Sequence, residues 1–143
     1  MTRHDVEVLA DFRYRLRRFL RFSEDVTRAH GMTALQYQLL LQICGYPGRK
    51  RPSVGDLAER LQAKHHGVVS LLTRCEARGW VRRTPSRADR RRVEVSVTAT
   101  GRKQALKLAR LHLAELSSYR GTPGPIDRTA SSAGSRRDRR EAR

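Results

Sequence analysis

Cysteine, long apolar runs and acidic residues are all scarce in this chain of 143 residues. Two cysteines, Cys44 and Cys75, are too few for a disulfide framework. No apolar run reaches about 18 residues, so we expect no transmembrane span, and we expect no secretory leader. Hydrophobic residues make up 38% of the chain, which suits a small helical core better than a large enzyme body. A cytoplasmic protein without enzymatic activity or a cofactor is predicted.

The shortage of acidic residues leaves a large positive charge. There are 14 Asp and Glu against 31 Lys and Arg, a net charge of +17. Such a charge implies a polyanionic partner, nucleic acid first and an anionic membrane surface second. Residues 120–143 hold a net charge of only +4, and their Gly, Pro, Ser and Arg composition predicts a disordered basic tail. Most of the excess charge therefore belongs to residues 1–119, the part expected to fold.

Hydrophobic periodicity predicts five helices, over residues 5–29, 33–44, 53–61, 65–78 and 99–119. Thr33 and Ser53 are expected N-caps, with Gln36 and Asp56 three residues later to complete capping boxes. Gly79 is expected to end the fourth helix. The predicted buried stripes are Leu35, Leu39, Leu40 and Ile43 in the second helix, Val68, Leu71, Leu72 and Cys75 in the fourth, and Ala105, Leu106, Ala109, Leu113 and Leu116 in the last.

The apolar period changes from 3.6 to 2 after the fourth helix. Residues 80–84 and 93–97 are predicted strands, and the loop between them is rich in arginine. From Arg82 to Arg92 there are six Arg and one acid, a net charge of +5. Two short helices followed by this hairpin predict a mainly α fold with a small β-hairpin, the winged helix-turn-helix. The fourth helix would enter the major groove, which is about 12 Å wide, and the hairpin would be the wing.

Three segments carry a resemblance to a known family. They are Asp89-Arg90-Arg91-Arg92-Val93-Glu94-Val95-Ser96-Val97-Thr98-Ala99-Thr100-Gly101, Ser53-Val54-Gly55-Asp56-Leu57-Ala58-Glu59-Arg60-Leu61, and the run from Val68 to Val81. Together with Thr33-Ala34-Leu35-Gln36-Tyr37, this ordered set resembles the MarR family of bacterial transcriptional regulators over about residues 8–118. The resemblance implies a winged-helix domain over residues 1–119, with a DNA-binding core at about 33–98.

The resemblance also implies partners. Relatives pair through flanking N- and C-terminal dimerisation helices, so it implies a homodimer that binds double-stranded DNA at a near-palindromic operator. The usual role is repression, relieved by a small, often aromatic ligand or by cysteine oxidation. The further helix that ends most relatives is replaced here by the polar segment from Gly121, so the dimer and the ligand pocket are expected to differ from theirs. No membrane partner is expected.

Eleven residues are predicted to bind DNA. By the resemblance, Arg91 enters the minor groove and Asp89 steadies it, while Arg74 contacts phosphate. Lys64 falls at the N-cap of the recognition helix, where Ser or Thr is normal, and its amine is expected to contact phosphate. The rest are phosphate contacts in the wing or residues near base edges at the helix start: Arg87, Arg90, Arg92, His65, His66, Gly67 and Ser70.

Other interpretations of these residues remain. The alternative interpretation of the wing arginines is a solvated run of charged residues. For the adjacent histidines the alternative is a metal site, although neighbours on a helix point apart. Cys75 is expected to pack in the core, and thiol sensing is disfavoured. The arginine cluster of the first helix is either a solvated face or an added reach toward DNA. Whole-protein alternatives are a low-specificity architectural DNA-binding protein and an RNA- or ribosome-associated winged-helix protein.

Overall fold

The computed structural model describes residues 1–48 and 50–119. Its elements are α1 (Arg3–Ala29), α2 (Ala34–Cys44), α3 (Val54–Leu61), α4 (His65–Ala77), β1 (Val81–Pro85), β2 (Val93–Val97) and α5 (Ala99–Ser118). Five helices and one antiparallel hairpin confirm the predicted mainly α class and the predicted order of elements. The predicted basic tail, residues 120–143, lies outside the described residues. None of the helices in the described ranges is long and apolar enough to cross a membrane.

The chain divides into two compact units. Among the described residues, one comprises Met1–Phe22 and residues 115–119, and the other comprises Ser23–Ala114. The predicted DNA-binding core at about 33–98 lies within the second unit. The bounds predicted for the domains remain predictions.

Three predicted helix ends are confirmed in the second unit. The Thr33 hydroxyl accepts the Gln36 amide at 3.1 Å, and Ser53 accepts the Asp56 amide at 3.1 Å, each in a complete capping box. Gly79 has φ of +72° and closes α4, because its amide donates to the Glu76 carbonyl while the next amide donates to the Cys75 carbonyl. This left-handed turn is one that glycine adopts without a Cβ penalty.

The core of the second unit lies between α2, α3, α4 and the hairpin. The four predicted apolar residues of α4 are all buried, and β2 is centred on the fully buried Val95. In the hairpin register Val81 pairs with Val97 and Pro85 with Val93. The Val95 amide also donates to the Pro52 carbonyl at 2.9 Å, which ties the hairpin to the segment before α3.

The predicted buried face of the last helix is wrong in part. Ala105 is buried as expected, but Leu106, Leu113 and Leu116 are exposed. Helix α5 instead buries Gly101, Ala105, Leu108 and His112, which follow one another at three- or four-residue spacing. Apolar residues on several faces of this helix give its sequence more than one plausible stripe.

His112 is buried because its polar atoms and its ring all find partners. Nδ1 lies 2.7 Å from the Leu108 carbonyl, so it must carry the proton, and Nε2 lies 2.8 Å from the Ser23 hydroxyl. The ring stacks on Tyr37 with centroids 4.3 Å apart. Tyr37 thus takes the buried place in α2 that was predicted for Leu35, which is exposed.

The first unit holds the start of α1 and the end of α5. Phe12, Leu16 and Phe19 of α1 are partly buried, whereas Leu9 and Leu20 are exposed. The predicted arginine cluster lies on the same helix, and its contacts are described below.

Candidate nucleic-acid interface

The exposed face of α4 carries the predicted recognition residues. Its apolar positions face the core, and His66, Ser70 and Arg74 lie on the opposite side at spacings of four residues. Four-residue spacing places them in one row along the helix. His65 and Gly67 are exposed in the first turn. The structure therefore places His66, Ser70 and Arg74 on one accessible face and leaves His65 and Gly67 exposed at the start of the helix.

Lys64 is the N-cap of α4, and its side chain makes no capping hydrogen bond. An N-cap side chain normally accepts a hydrogen bond from one of the first amides, and an amine has no acceptor to offer. The start of α4 thus keeps uncapped backbone donors beside an exposed cation. Both favour an anion at this end of the helix.

The tip of the wing is held in a defined turn by its own backbone. The Ser86 amide donates to the Arg92 carbonyl at 2.8 Å, and the Arg92 amide donates to the Asp89 carbonyl at 3.0 Å. The Asp89 carboxylate accepts the backbone amide of Arg91 at 3.0 Å. Asp89 therefore fixes the backbone that carries Arg91, while the Arg91 side chain stays exposed.

Arg83 ties the first strand of the wing to the recognition helix. Its guanidinium donates to both carboxylate oxygens of Glu76, at 3.2 and 3.4 Å, and to the Thr73 hydroxyl at 3.3 Å. Its backbone amide adds a bond of 3.1 Å to Glu76. The Arg83 guanidinium holds the pKa of Glu76 below its ordinary value, because its hydrogen bonds favour the charged carboxylate.

Arg92 ties the second strand to the start of α3. Its Nη2 lies 2.7 Å from the Asp56 Oδ2, the same atom that accepts the Ser53 amide in the capping box. The pKa of Asp56 is lowered, first by that backbone hydrogen bond and also by the Arg92 charge. Arg92 was predicted as a phosphate contact, and the structure gives it this internal partner. Its role in DNA binding remains a prediction.

The other wing arginines have exposed side chains without such partners. Arg87, Arg90 and Arg91 form no side-chain hydrogen bond or ion pair with any part of the chain that the structure describes. They stand on a turn that two anchored strands hold in place. This arrangement offers fixed cationic groups to a polyanion without first breaking an internal contact.

Burial lowers the reactivity of both cysteine thiols. Burial raises the pKa of the Cys75 thiol to about 11, so the reactive thiolate is scarce near neutral pH. Burial also raises the pKa of Cys44, which lies partly exposed at the end of α2. Cys75 packs in the core as predicted.

The sequence did not predict the two ion pairs that hold the wing in place. Glu76 and Arg83 are seven residues apart and lie in different elements, and Asp56 and Arg92 are 36 residues apart. Asp56 was recognised only as a helix cap. No local spacing rule indicates such pairs, since the hairpin's register brings them together.

Comparison with known proteins finds one matching family model and several solved structures of the same fold. The model of the MarR family matches residues 30–92. None of the curated proteins compared is similar in sequence to this chain. The solved structure of AbsC from Streptomyces coelicolor, a MarR family transcriptional regulator, is similar with a TM-score of 0.75 and 22% identity over 93% of this chain and 90% of that one.

Two further solved structures share the fold. A point mutant of MepR from S. aureus, bound to an oligodeoxyribonucleotide, has a TM-score of 0.61 and 18% identity over 85% of this chain and 88% of that one. BpsR of Bordetella bronchiseptica, whose DNA binding is regulated by 6-hydroxynicotinic acid, has a TM-score of 0.66 and 21% identity over 88% of each chain.

The resemblance seen in the sequence is thus confirmed on two independent grounds. The family model covers residues 30–92, which end in the wing turn before β2, and the solved structures share the fold over most of the chain. The chain has the winged-helix fold of these solved regulators, and its residues 30–92 match the model of the MarR family.

Proposed function

We propose that this protein is a sequence-specific repressor that binds double-stranded DNA as a homodimer at a near-palindromic operator. The observation that carries the proposal is the pairing of two exposed cationic surfaces in the second unit. One is the exposed side of α4 with Lys64 at its N-cap and Arg74 in its last turn, and the other is the wing tip with Arg87, Arg90 and Arg91. The structure of the MepR mutant with an oligodeoxyribonucleotide supports DNA as the partner.

The eleven predicted residues divide by role in this proposal. His65, His66, Gly67 and Ser70 approach base edges in the major groove, where each base pair presents a distinct pattern. Arg91 enters the minor groove, whose negative potential attracts a guanidinium. The remainder contact phosphates or set the wing turn and do not read sequence: Lys64, Arg74, Arg87, Asp89, Arg90 and Arg92.

Selection of bound sequences from a random duplex pool at physiological salt tests the proposal. We expect an inverted repeat whose halves lie about one helical turn apart, because a symmetric dimer presents two equal recognition helices. The selected duplex should bind at least about 10³-fold more tightly than random DNA. A ratio near one would favour the low-specificity architectural function, and preference for folded RNA would favour the ribosome-associated one.

Replacing Arg91 by alanine tests the role of the wing. We expect binding to an A·T-flanked operator to weaken by roughly 1–3 kcal/mol. Asp89 contacts the Arg91 backbone and not its side chain, so the fold of the wing should persist. Arg51→Ala, at an exposed arginine outside α4 and the wing, is the matched control. Equal affinities of the two variants would remove Arg91 from the interface.

Exposed apolar side chains support the homodimer. Val6 and Leu9 of α1 are exposed by 51% and 57%, and Leu113 of α5 by 61%. Surfaces of this kind mark interaction sites when several leucines are left uncovered. Leu113→Glu should shift sedimentation from dimer to monomer while the monomer stays folded. Leu41→Glu, at an exposed leucine of α2, should leave the dimer intact.

Regulation by a small aromatic ligand is the last part of the proposal. Its support is BpsR, whose DNA binding responds to 6-hydroxynicotinic acid. A screen of aromatic carboxylates for release of a labelled operator tests it. Release by oxidant instead of ligand would assign regulation to a thiol, against the raised pKa values of Cys44 and Cys75.

A further inference from the structure

Helix α1 carries five arginines between residues 13 and 21, and the structure divides them into two groups. Arg15 forms an ion pair with Asp11, and the Arg18 guanidinium lies 5.7 Å from the ring centroids of both Tyr14 and Tyr119. These two arginines make contacts within the first unit. Arg13, Arg17 and Arg21 are exposed and form no ion pair with the residues that the structure describes.

The three exposed arginines form one row, which we call the α1 arginine row. Each follows the previous one by four residues, so they are about 6 Å apart along the helix and the row spans about 12 Å. No acidic residue occurs from position 12 to position 23. A single row of one sign is thus presented along this stretch of the helix.

This arrangement differs from an ordinary solvated helix face. Such faces usually alternate positive and negative side chains, which attract each other at four-residue spacing. Like charges at that spacing repel, so the α1 arginine row opposes the helix that carries it. An external polyanion with closely spaced charges would reverse the sign of this interaction.

We propose that the α1 arginine row is a second phosphate-binding surface of this protein, which contacts the backbone of duplex nucleic acid without reading its sequence. The inference rests on the proposed DNA-binding function. Double-stranded DNA carries one negative charge per about 1.7 Å of its axis, so several phosphates fall within the length of the row. Guanidinium groups bind phosphate oxygens in a two-point geometry.

Nucleic acid fits the row better than an anionic membrane does. A membrane-surface helix needs a free apolar face beside its basic one. Near the row, Leu16 is partly buried, the exposed Leu9 belongs to the surface proposed above for the homodimer, and Leu20 is a single exposed leucine rather than an apolar face. The fold is also that of a DNA-binding regulator family, so duplex DNA is the polyanion at hand.

The salt dependence of DNA binding tests the proposal. The triple variant Arg13→Gln, Arg17→Gln, Arg21→Gln is compared with the control Arg28→Gln, Lys103→Gln, Arg110→Gln, which removes the same charge from scattered exposed positions. The probe is a random-sequence duplex of roughly four helical turns. The slope of log K against log salt should fall by about 0.9 for each lost phosphate contact, hence by about 2.7 for the row.

One further variant and one further binding probe make the result decisive. Arg13→Lys, Arg17→Lys, Arg21→Lys keeps the charge and should keep most of the slope, and circular dichroism should show that all variants stay folded. A slope equal to that of the scattered control would overturn the proposal. Loss of binding to anionic phospholipid vesicles with an unchanged DNA slope would overturn it in favour of a membrane.

Two experiments show whether the phosphates belong to the same duplex or to a second one. If the row contacts flanking DNA of the same duplex, trimming the duplex to about two helical turns should abolish the slope difference. If it contacts a second duplex, the protein should bridge two differently labelled duplexes and the Gln variant should not. Failure of the repressor function gives a different result. If the unmodified protein bound the operator and random DNA with equal affinity, only the repressor function would be refuted, because the salt slopes that test the row are measured on random DNA.

Discussion

Two glycines at equivalent helix positions should respond to the same substitution with opposite signs. Gly67 is the third residue of α4 after the N-cap Lys64, and Gly101 is the third residue of α5 after Thr98. A Cβ on Gly67 would meet nothing within 4 Å. A Cβ on Gly101 would overlap the carbonyl oxygen of Trp80 and lie 2.8 Å from its carbonyl carbon.

The cost at Gly101 follows from what holds Trp80. Its carbonyl accepts the Thr98 amide at 3.0 Å, its amide donates to Cys75 at 3.0 Å, and its side chain is buried. Carbon atoms in contact are normally about 3.5–4.0 Å apart, so the backbones must separate by roughly 0.7–1.2 Å. Overpacking of this kind costs about 1–3 kcal/mol, against a helix-propensity gain of up to about 1 kcal/mol for alanine.

We therefore expect Gly101→Ala to lower the free energy of unfolding by about 1–2 kcal/mol and Gly67→Ala to raise it by about 0.5–1 kcal/mol. Urea unfolding followed by circular dichroism measures both. At roughly 3 °C per kcal/mol, the two melting temperatures should differ by about 5–9 °C. Stabilisation by both substitutions would show that α5 does not pack on Trp80 as closely as described.

The same pair separates stability from DNA binding. Gly67 is predicted to lie where the start of α4 meets the duplex, and an added methyl group there contacts nothing in the protein. Gly67→Ala should therefore weaken operator binding although the fold becomes more stable. Unchanged operator affinity would move Gly67 out of the interface.

Three further outcomes follow from the ionisable groups. Glu76→Gln should lower stability at pH 7 by about 0.5–1 kcal/mol, since the Arg83 pair is partly exposed, and should weaken operator binding by loosening the wing. The folded pKa of Glu76 lies below its ordinary 4.5, so this stability is present above 4.5 and is lost as the pH falls through the lowered pKa; below it, urea titrations of the two proteins should converge. Asp56→Asn should likewise lower stability and operator affinity, because it removes the charge that pairs with Arg92. The control Asp25→Asn, at an exposed residue, should change neither stability nor operator affinity. With its pKa raised to about 11 from 9.0, Cys75 should be alkylated at pH 8 at least about 100-fold more slowly in the folded protein than after unfolding; equal rates would contradict its burial.

The sequence predicted the elements well because local signals decide them. Capping boxes at Thr33 and Ser53, the glycine at the end of α4 and the alternation in β2 all act over a few residues. The face that α5 buries depends instead on distant partners. His112 is buried because it meets Ser23, 89 residues away, and Tyr37, and periodicity assigns a histidine to the surface.

The candidate site shows the same division between local and distant causes. The position of α4 and the arginine density of the wing follow from the sequence alone. The sequence alone does not show which arginines are available to DNA, because the hairpin register and the position of α3 decide which of them meet a carboxylate. Glu76 and Asp56 each bind one wing arginine, and neither pairing has a local motif.

The net charge of the wing therefore overstates the charge that it offers to DNA. Of its six arginines, Arg83 in the middle of β1 and Arg92 just before β2 are bound to carboxylates outside the hairpin. Their ion pairs fix where the turn lies relative to α4 and α3. The arginines at the tip have no such contacts among the described residues, so they can meet phosphates at no internal cost. Two anchored arginines and three exposed ones at the tip make the wing both rigid and attractive to DNA, a combination that a count of charges does not reveal.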